Sequence, residues 1–76
     1  MNQNEIRQKL LLAYQDAEVR VQDLTGTSDH FQVEIESEAF KGLSRIDQHK
    51  SVMSVFDEEL KSGEIHALSI KTLVKS

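Results

Sequence analysis

The chain has 76 residues and no cysteine, which leaves room for one small core and excludes disulfides, a thiolate nucleophile and thiolate metal ligands of its own. At 38% hydrophobic and 29% charged residues it is too apolar for a disordered tail, and no apolar run is long enough to cross a bilayer as a helix. Thirteen acidic against nine basic residues give a net charge of −4, which argues against a protein that grips phosphates through bulk electrostatics.

The opening MNQNEIRQKLLLAY has neither the apolar core of a secretory signal nor the arginine content of a transit peptide, so a cytoplasmic protein is expected. Ile6, Leu10, Ala13, Tyr14 and Ala17 recur at helical spacing, and Asn2 with Glu5 forms a capping pair, which predicts a first helix over 3–16. Glu18 to Leu24 alternates through Val19 and Val21. His30 to Glu36 alternates through Phe31, Val33 and Ile35. Between them, Thr25 to Asp29 is small, polar and glycine-bearing, the composition of a tight loop joining an antiparallel hairpin.

SEAFKG then reads as a single turn, and Ser44 with Asp47 caps a second helix. Its predicted apolar stripe is Ile46, His49, Val52, Met53, Phe56 and Leu60, running to Gly63. Ile65 to Val74 is apolar and too short for another full helix, and is read as a third strand. With no proline, repeat or linker, residues 1–76 make a single domain of order αββαβ, an α+β fold.

That order has a geometric consequence. Strands two and three joined through a helix are parallel neighbours, and parallel strands start at the same end of a sheet. His30 opens one and His66 the other, so two imidazoles 36 positions apart in the chain are brought to one edge, about 5–12 Å apart. Parity leaves the shared face open, since His30 alternates opposite to Phe31 whereas His66 shares phase with Leu68 and Ile70. The same alternation makes Asp29 a weak partner for His30.

DHFQVEIESEAFKGLSRIDQHKSV followed by EELKSGEIHALSIKTL resembles the BolA-like proteins, through Ser37, Phe40 and Gly42 and above all His66-Ala67-Leu68-Ser69-Ile70. The cysteine-free chain is most similar to the small bacterial, histidine-type branch. It departs from the family where the helix reads Gln48-His49-Lys50 instead of Arg-His-Arg. The resemblance implies a KH-like (class II) fold with a three-stranded mixed sheet in which two strands are parallel. It also implies a monothiol, CGFS-type glutaredoxin as partner, with a 2Fe-2S cluster shared with that glutaredoxin and its glutathione. On this resemblance His66 corresponds to the C-terminal histidine ligand. The family's second ligand lies in the loop between strands one and two, where Thr27 stands in the place of a cysteine and His30 is the nearby imidazole assigned to the role. Imidazole in place of thiolate makes such a cluster less negative and raises its potential, and a proton competes for the ligating nitrogen as pH falls.

Thr27, Ser28 and Asp29 are the loop residues expected to shape access for the partner, and Lys41, Arg45 and Lys50 are candidate contacts to an acidic partner surface or else an ordinary solvated face. The blander readings of the histidines are a strand-edge residue bonded to a carbonyl for His66, a solvated strand start for His30, and a packing residue for His49. Glu58 and Glu59 point to different azimuths of a helix and form no acid/base dyad; both are expected on the solvated surface. No nucleophile elbow, P-loop, dinucleotide fingerprint or zincin motif is present, so no enzymatic activity is expected. Two other classes compete with the cluster reading. One is a nucleic-acid-binding regulator on the KH-like fold, against which stand the negative charge, four aromatic residues and the lack of a GXXG spacing among Gly26, Gly42 and Gly63. The other is a module that binds the glutaredoxin without metal, itself a monomer or weak dimer when alone.

Overall fold

The structure, a computed structural model, describes residues 1–26 and 29–75. Asn2 accepts from the Glu5 N–H while Glu5 accepts from the Asn2 N–H, a reciprocal cap that starts α1, Gln3–Ala13. The helix is one turn shorter than the spacing predicts. Tyr14 leaves helical geometry (φ −131°, ψ 87°), and Asp16 is drawn away because its carboxylate accepts from the Ser37 hydroxyl and the Glu38 N–H, both at 2.8 Å. Strands β1, Glu18–Asp23, and β2, His30–Ser37, pair antiparallel with Val19 opposite Ile35 and Val21 opposite Val33.

Ser37 explains the SEAFKG segment. Fully buried, it donates to Asp16 and accepts from the Ala39 N–H, capping a 3-10 turn over Glu38–Phe40 that drops Phe40 into the core against Tyr14, ring centroids 5.3 Å apart. Ser44 caps α2, Arg45–Val55, through the Asp47 N–H. The predicted single helix to Gly63 is in fact two. Phe56 (φ −110°, ψ 20°) turns its N–H to Met53 and Ser54, and α3, Asp57–Ser62, restarts from there before Gly63 closes it in the left-handed region at φ +87°. Strand β3, Ala67–Val74, lies parallel to β2 with His30 in register with Ala67 and Ser37 with Val74, so the sheet order is β1-β2-β3.

The core is formed by Ile6, Leu10 and Tyr14 from α1, Val19, Phe31, Val33 and Ile35 from the hairpin, Phe40, Val52, Phe56, and Ile65 just ahead of β3. Met53 and Leu60, expected inside, are half-buried. The phase of α2 also differs from the expected stripe: Ile46 is 67% exposed and His49 lies on the surface, while Gln48 is buried. The Gln48 amide donates to the carbonyls of Phe40 and Leu43 and its oxygen accepts from the Thr72 hydroxyl, satisfying three polar groups that an apolar side chain would strand. Glu59, expected on the surface, is buried beneath α1, where it is ion-paired to Lys9, whose ammonium also lies over the Phe56 ring; Glu58 is exposed. No helix among the described residues is long and apolar enough to cross a membrane.

Candidate metal centre

The parallel register brings the starts of β2 and β3 together. The Asp29 carbonyl accepts from the His66 N–H at 2.7 Å and from the Ala67 N–H at 3.2 Å, so the backbone just ahead of β3 is tied to the residue just ahead of β2. His66 precedes the strand instead of opening it, which frees it from the alternation that would have placed it with Leu68 and Ile70. The His30 and His66 rings meet edge to face, centroids 5.8 Å apart. This is within the separation that the strand order predicts.

Between them stands Asp29. One carboxylate oxygen is 2.8 Å from His30 Nδ1 and the other 3.0 Å from His66 Nδ1, so a single side chain orients both rings. With Nδ1 of each ring directed at Asp29, Nε2 is the nitrogen that the carboxylate does not take. The His66 side chain is 59% exposed, that of His30 39% and that of Asp29 25%, so the cluster opens to solvent on one side. Asp29, His30 and His66 form a group with one ligand atom from each lying within 4.8 Å of the others. Two nitrogens and one carboxylate oxygen suit a borderline divalent transition metal, and two imidazoles suit one iron of a Rieske-type cluster whose sulfur ligands come from elsewhere.

Gly63 lies close by. A Cβ added there would sit 3.9 Å from His66 Nε2, in ordinary van der Waals contact, so it is the left-handed backbone at Gly63 and not crowding of the ring that calls for glycine. The hairpin loop is pinned on its other side by Asp23, whose carboxylate accepts from the Thr25 and Gly26 N–H groups. Thr27 and Ser28 lie outside the described residues.

The basic candidates are not gathered at the histidines. Lys41 follows the 3-10 turn beyond the far end of β2, and Arg45 lines a groove with Ile70 to Leu73 of β3. That groove begins at Ile70, four residues beyond His66, which at about 3.3 Å per residue puts its near end roughly 13 Å along the strand from the histidine. Lys50 lies with Met53 and Asp57 on the outward side of the helices. His49 shares the Arg45 groove and has no part in the Asp29 cluster. Asp29 is the residue whose role the sequence reading underrated. Alternation is a property of strand interior, and Asp29 sits one residue before β2, where the bend lets neighbouring side chains converge.

Comparison with known proteins agrees with this architecture. Residues 8–76 match the family described as BolA-like protein. The acid stress protein IbaG of Escherichia coli is 38% identical over 71 residues, covering 93% of this chain and 81% of its own length. Protein RP812 of Rickettsia prowazekii is 36% identical over 69 residues, covering 91% and 88%. Among solved structures, the BolA domain of SufE1 from Arabidopsis thaliana superposes with a TM-score of 0.84 at 34% identity, covering 93% of this chain and 88% of that one. Sequence and fold therefore agree, and the chain belongs to the BolA-like protein family.

Proposed function

We propose that this chain is a non-enzymatic, cytoplasmic adaptor of iron–sulfur metabolism. It binds a monothiol, CGFS-type glutaredoxin and contributes His66 and His30 to a 2Fe-2S cluster whose sulfur ligands come from the glutaredoxin and its glutathione. The observation that carries the reading is the pair of solvent-open imidazoles held by one carboxylate at the edge of the sheet. A cysteine-free chain can join such a cluster only through nitrogen or oxygen, and orientation of Nδ1 by Asp29 favours Nε2 as the donor. Two imidazoles on one iron reduce the negative charge of the cluster and make it responsive to acid, properties suited to transfer or sensing.

The test is reconstitution of the purified chain with a CGFS-type glutaredoxin, glutathione, iron and sulfide, followed by visible absorption and circular dichroism. The expected result is a spectrum distinct from that of the glutaredoxin alone, lost in His66→Ala and altered in His30→Ala. A spectrum that ignores the added chain sinks the proposal. If His66→Ala loses the spectrum but still co-purifies with the glutaredoxin, docking and ligation are separable functions of the same surface.

One observation favours a second reading, binding of a nucleic-acid backbone. Arg45 and Lys71, with the His49 imidazole between the same walls, line the groove between α2 and β3, two cations together on an acidic protein. Affinity that falls steeply between low and moderate salt supports it, whereas binding indifferent to salt argues against it.

A further inference from the structure

We infer that the free edge of β3, with the wall of α2 beside it, binds an extended acidic segment of another protein as an added strand. The site shares no residue with the Asp29 cluster and does not rest on the adaptor reading. It occupies the groove from which the nucleic-acid reading is drawn, and the hydrogen-bonding pattern of the strand edge distinguishes the two occupants.

The backbone phase of β3 follows from its two ends. The Ala67 N–H donates to the Asp29 carbonyl and the Lys75 N–H to that of Ser37, eight positions on along each strand. In a parallel ladder of that register the N–H and C=O groups of Ala67, Ser69, Lys71 and Leu73 face β2. Those of Leu68, Ile70, Thr72 and Val74 point the other way. Because β3 is the last strand in the order β1-β2-β3, these groups stand on an open edge, and among the described residues no hydrogen bond reaches them. Donor and acceptor sets repeating at about 6.6 Å are a template for another strand. An extended peptide supplies both partners in the same alternation. A phosphodiester backbone offers acceptors alone, which suit the edge N–H groups and set like partial charge against the edge carbonyls.

Charge then selects among peptides. Leu68 and Ile70 pack toward the core, so Lys71 alternates to the outer face of the sheet, whereas Arg45 belongs to α2 on the inner face. Among the described residues neither cation is ion-paired, and Glu34, the neighbour of Lys71 in register on β2, is taken by Arg20. A strand laid along β3 therefore has a cation on each side of the sheet plane, with Ile70 and Leu73 as apolar contacts. A second copy of this chain would bring its own Arg45 and Lys71 to the seam, like charge against like, while an acidic segment meets complementary charge.

The probe is a synthetic octapeptide of alternating valine and glutamate, blocked at both ends and added to the full chain, with amide exchange read residue by residue. Protection is expected to rise by about tenfold or more at Leu68, Ile70 and Thr72 and to change far less at Ser69 and Lys71, whose N–H groups already face β2. The same peptide methylated on every amide nitrogen, and one with lysine in place of glutamate, should each bind at least about tenfold more weakly. Arg45→Glu, in the first turn of α2 where an acidic side chain is well placed, should weaken the acidic peptide by about fivefold. His66→Ala should bind it as the wild type does, so the groove and the histidines succeed or fail separately.

Failure of the acidic peptide to bind, equal binding of the methylated or lysine peptide, or protection spread evenly along β3 would each overturn the inference. Alternating protection in the concentrated chain without peptide would also overturn it and make the occupant a second copy. A groove that ignores the peptide and takes a short oligonucleotide returns the site to nucleic acid.

Discussion

Two polar clusters in this molecule join residues far apart in sequence, and they are built to opposite ends. Lys9 of α1 and Glu59 of α3 meet under a helix, with Glu59 buried and the ammonium covering the Phe56 ring. Asp29, His30 and His66 meet at the end of two strands, with the imidazoles turned to solvent. The first pair is complete: each charge neutralises the other, and the contact fastens two helices. In the second, Asp29 accepts from two rings and each ring keeps a nitrogen that Asp29 does not engage. Proximity of ionisable groups therefore does not mark a site; donor atoms left over at an open edge do.

The largest expected effect separates the two clusters by function. His66→Ala should abolish the cluster spectrum in the glutaredoxin reconstitution while changing unfolding free energy by no more than about 0.5 kcal/mol, because the side chain is mostly exposed. A large loss of stability in urea would show that the site is instead a structural staple. Lys9→Ala should do the reverse. It leaves the Glu59 carboxylate buried and unpaired, which lowers stability by about 1–3 kcal/mol, and the reconstituted spectrum should survive.

Gln48→Leu sharpens the comparison from the interior. It removes the partner of the Phe40 and Leu43 carbonyls and of the Thr72 hydroxyl, at a cost of about 1–2 kcal/mol in a denaturant melt, again without touching the histidines. The smallest effect concerns acid. The Glu38 N–H and Ser37 hydroxyl hold the Asp16 carboxyl below its ordinary 3.8, with Lys75 adding to the shift. Because the folded value is depressed, this contribution is present in full above the ordinary carboxylate range and disappears as pH falls through the lower folded value. Asp16→Asn should therefore flatten the acid side of the stability profile between those two points, measured by melts at stepped pH, and leave the profile near neutrality parallel to that of the wild type.

The meeting of His30 and His66 was legible because it follows from topology. Alternation identifies two strands, a helix between them forces a parallel pair, and the first residues of parallel neighbours share an edge. Asp29 was not legible, since the rule that neighbours point apart holds only inside a strand. The break at Phe56 has no glycine or proline to announce it; Phe56 stays in the core at the break and α3 beyond it carries Glu59 to Lys9, contacts that local sequence does not encode. The phase of α2 failed for a related reason. Hydrophobicity ranks Ile46 above Gln48, but the space facing the helix is lined by carbonyls and a hydroxyl, and an amide fits it.

The Asp29 carbonyl carries a last consequence. The two N–H groups it holds, those of His66 and Ala67, lie at the very start of the β2–β3 ladder, and strand ends are where a sheet frays first. The fraction of molecules with a formed site is thus the fraction with that end closed. A ligand that requires His66 beside Asp29 must slow amide exchange at residues 66 and 67 ahead of any other pair in the sheet, giving a reporter of occupancy that depends neither on colour nor on the identity of what is bound.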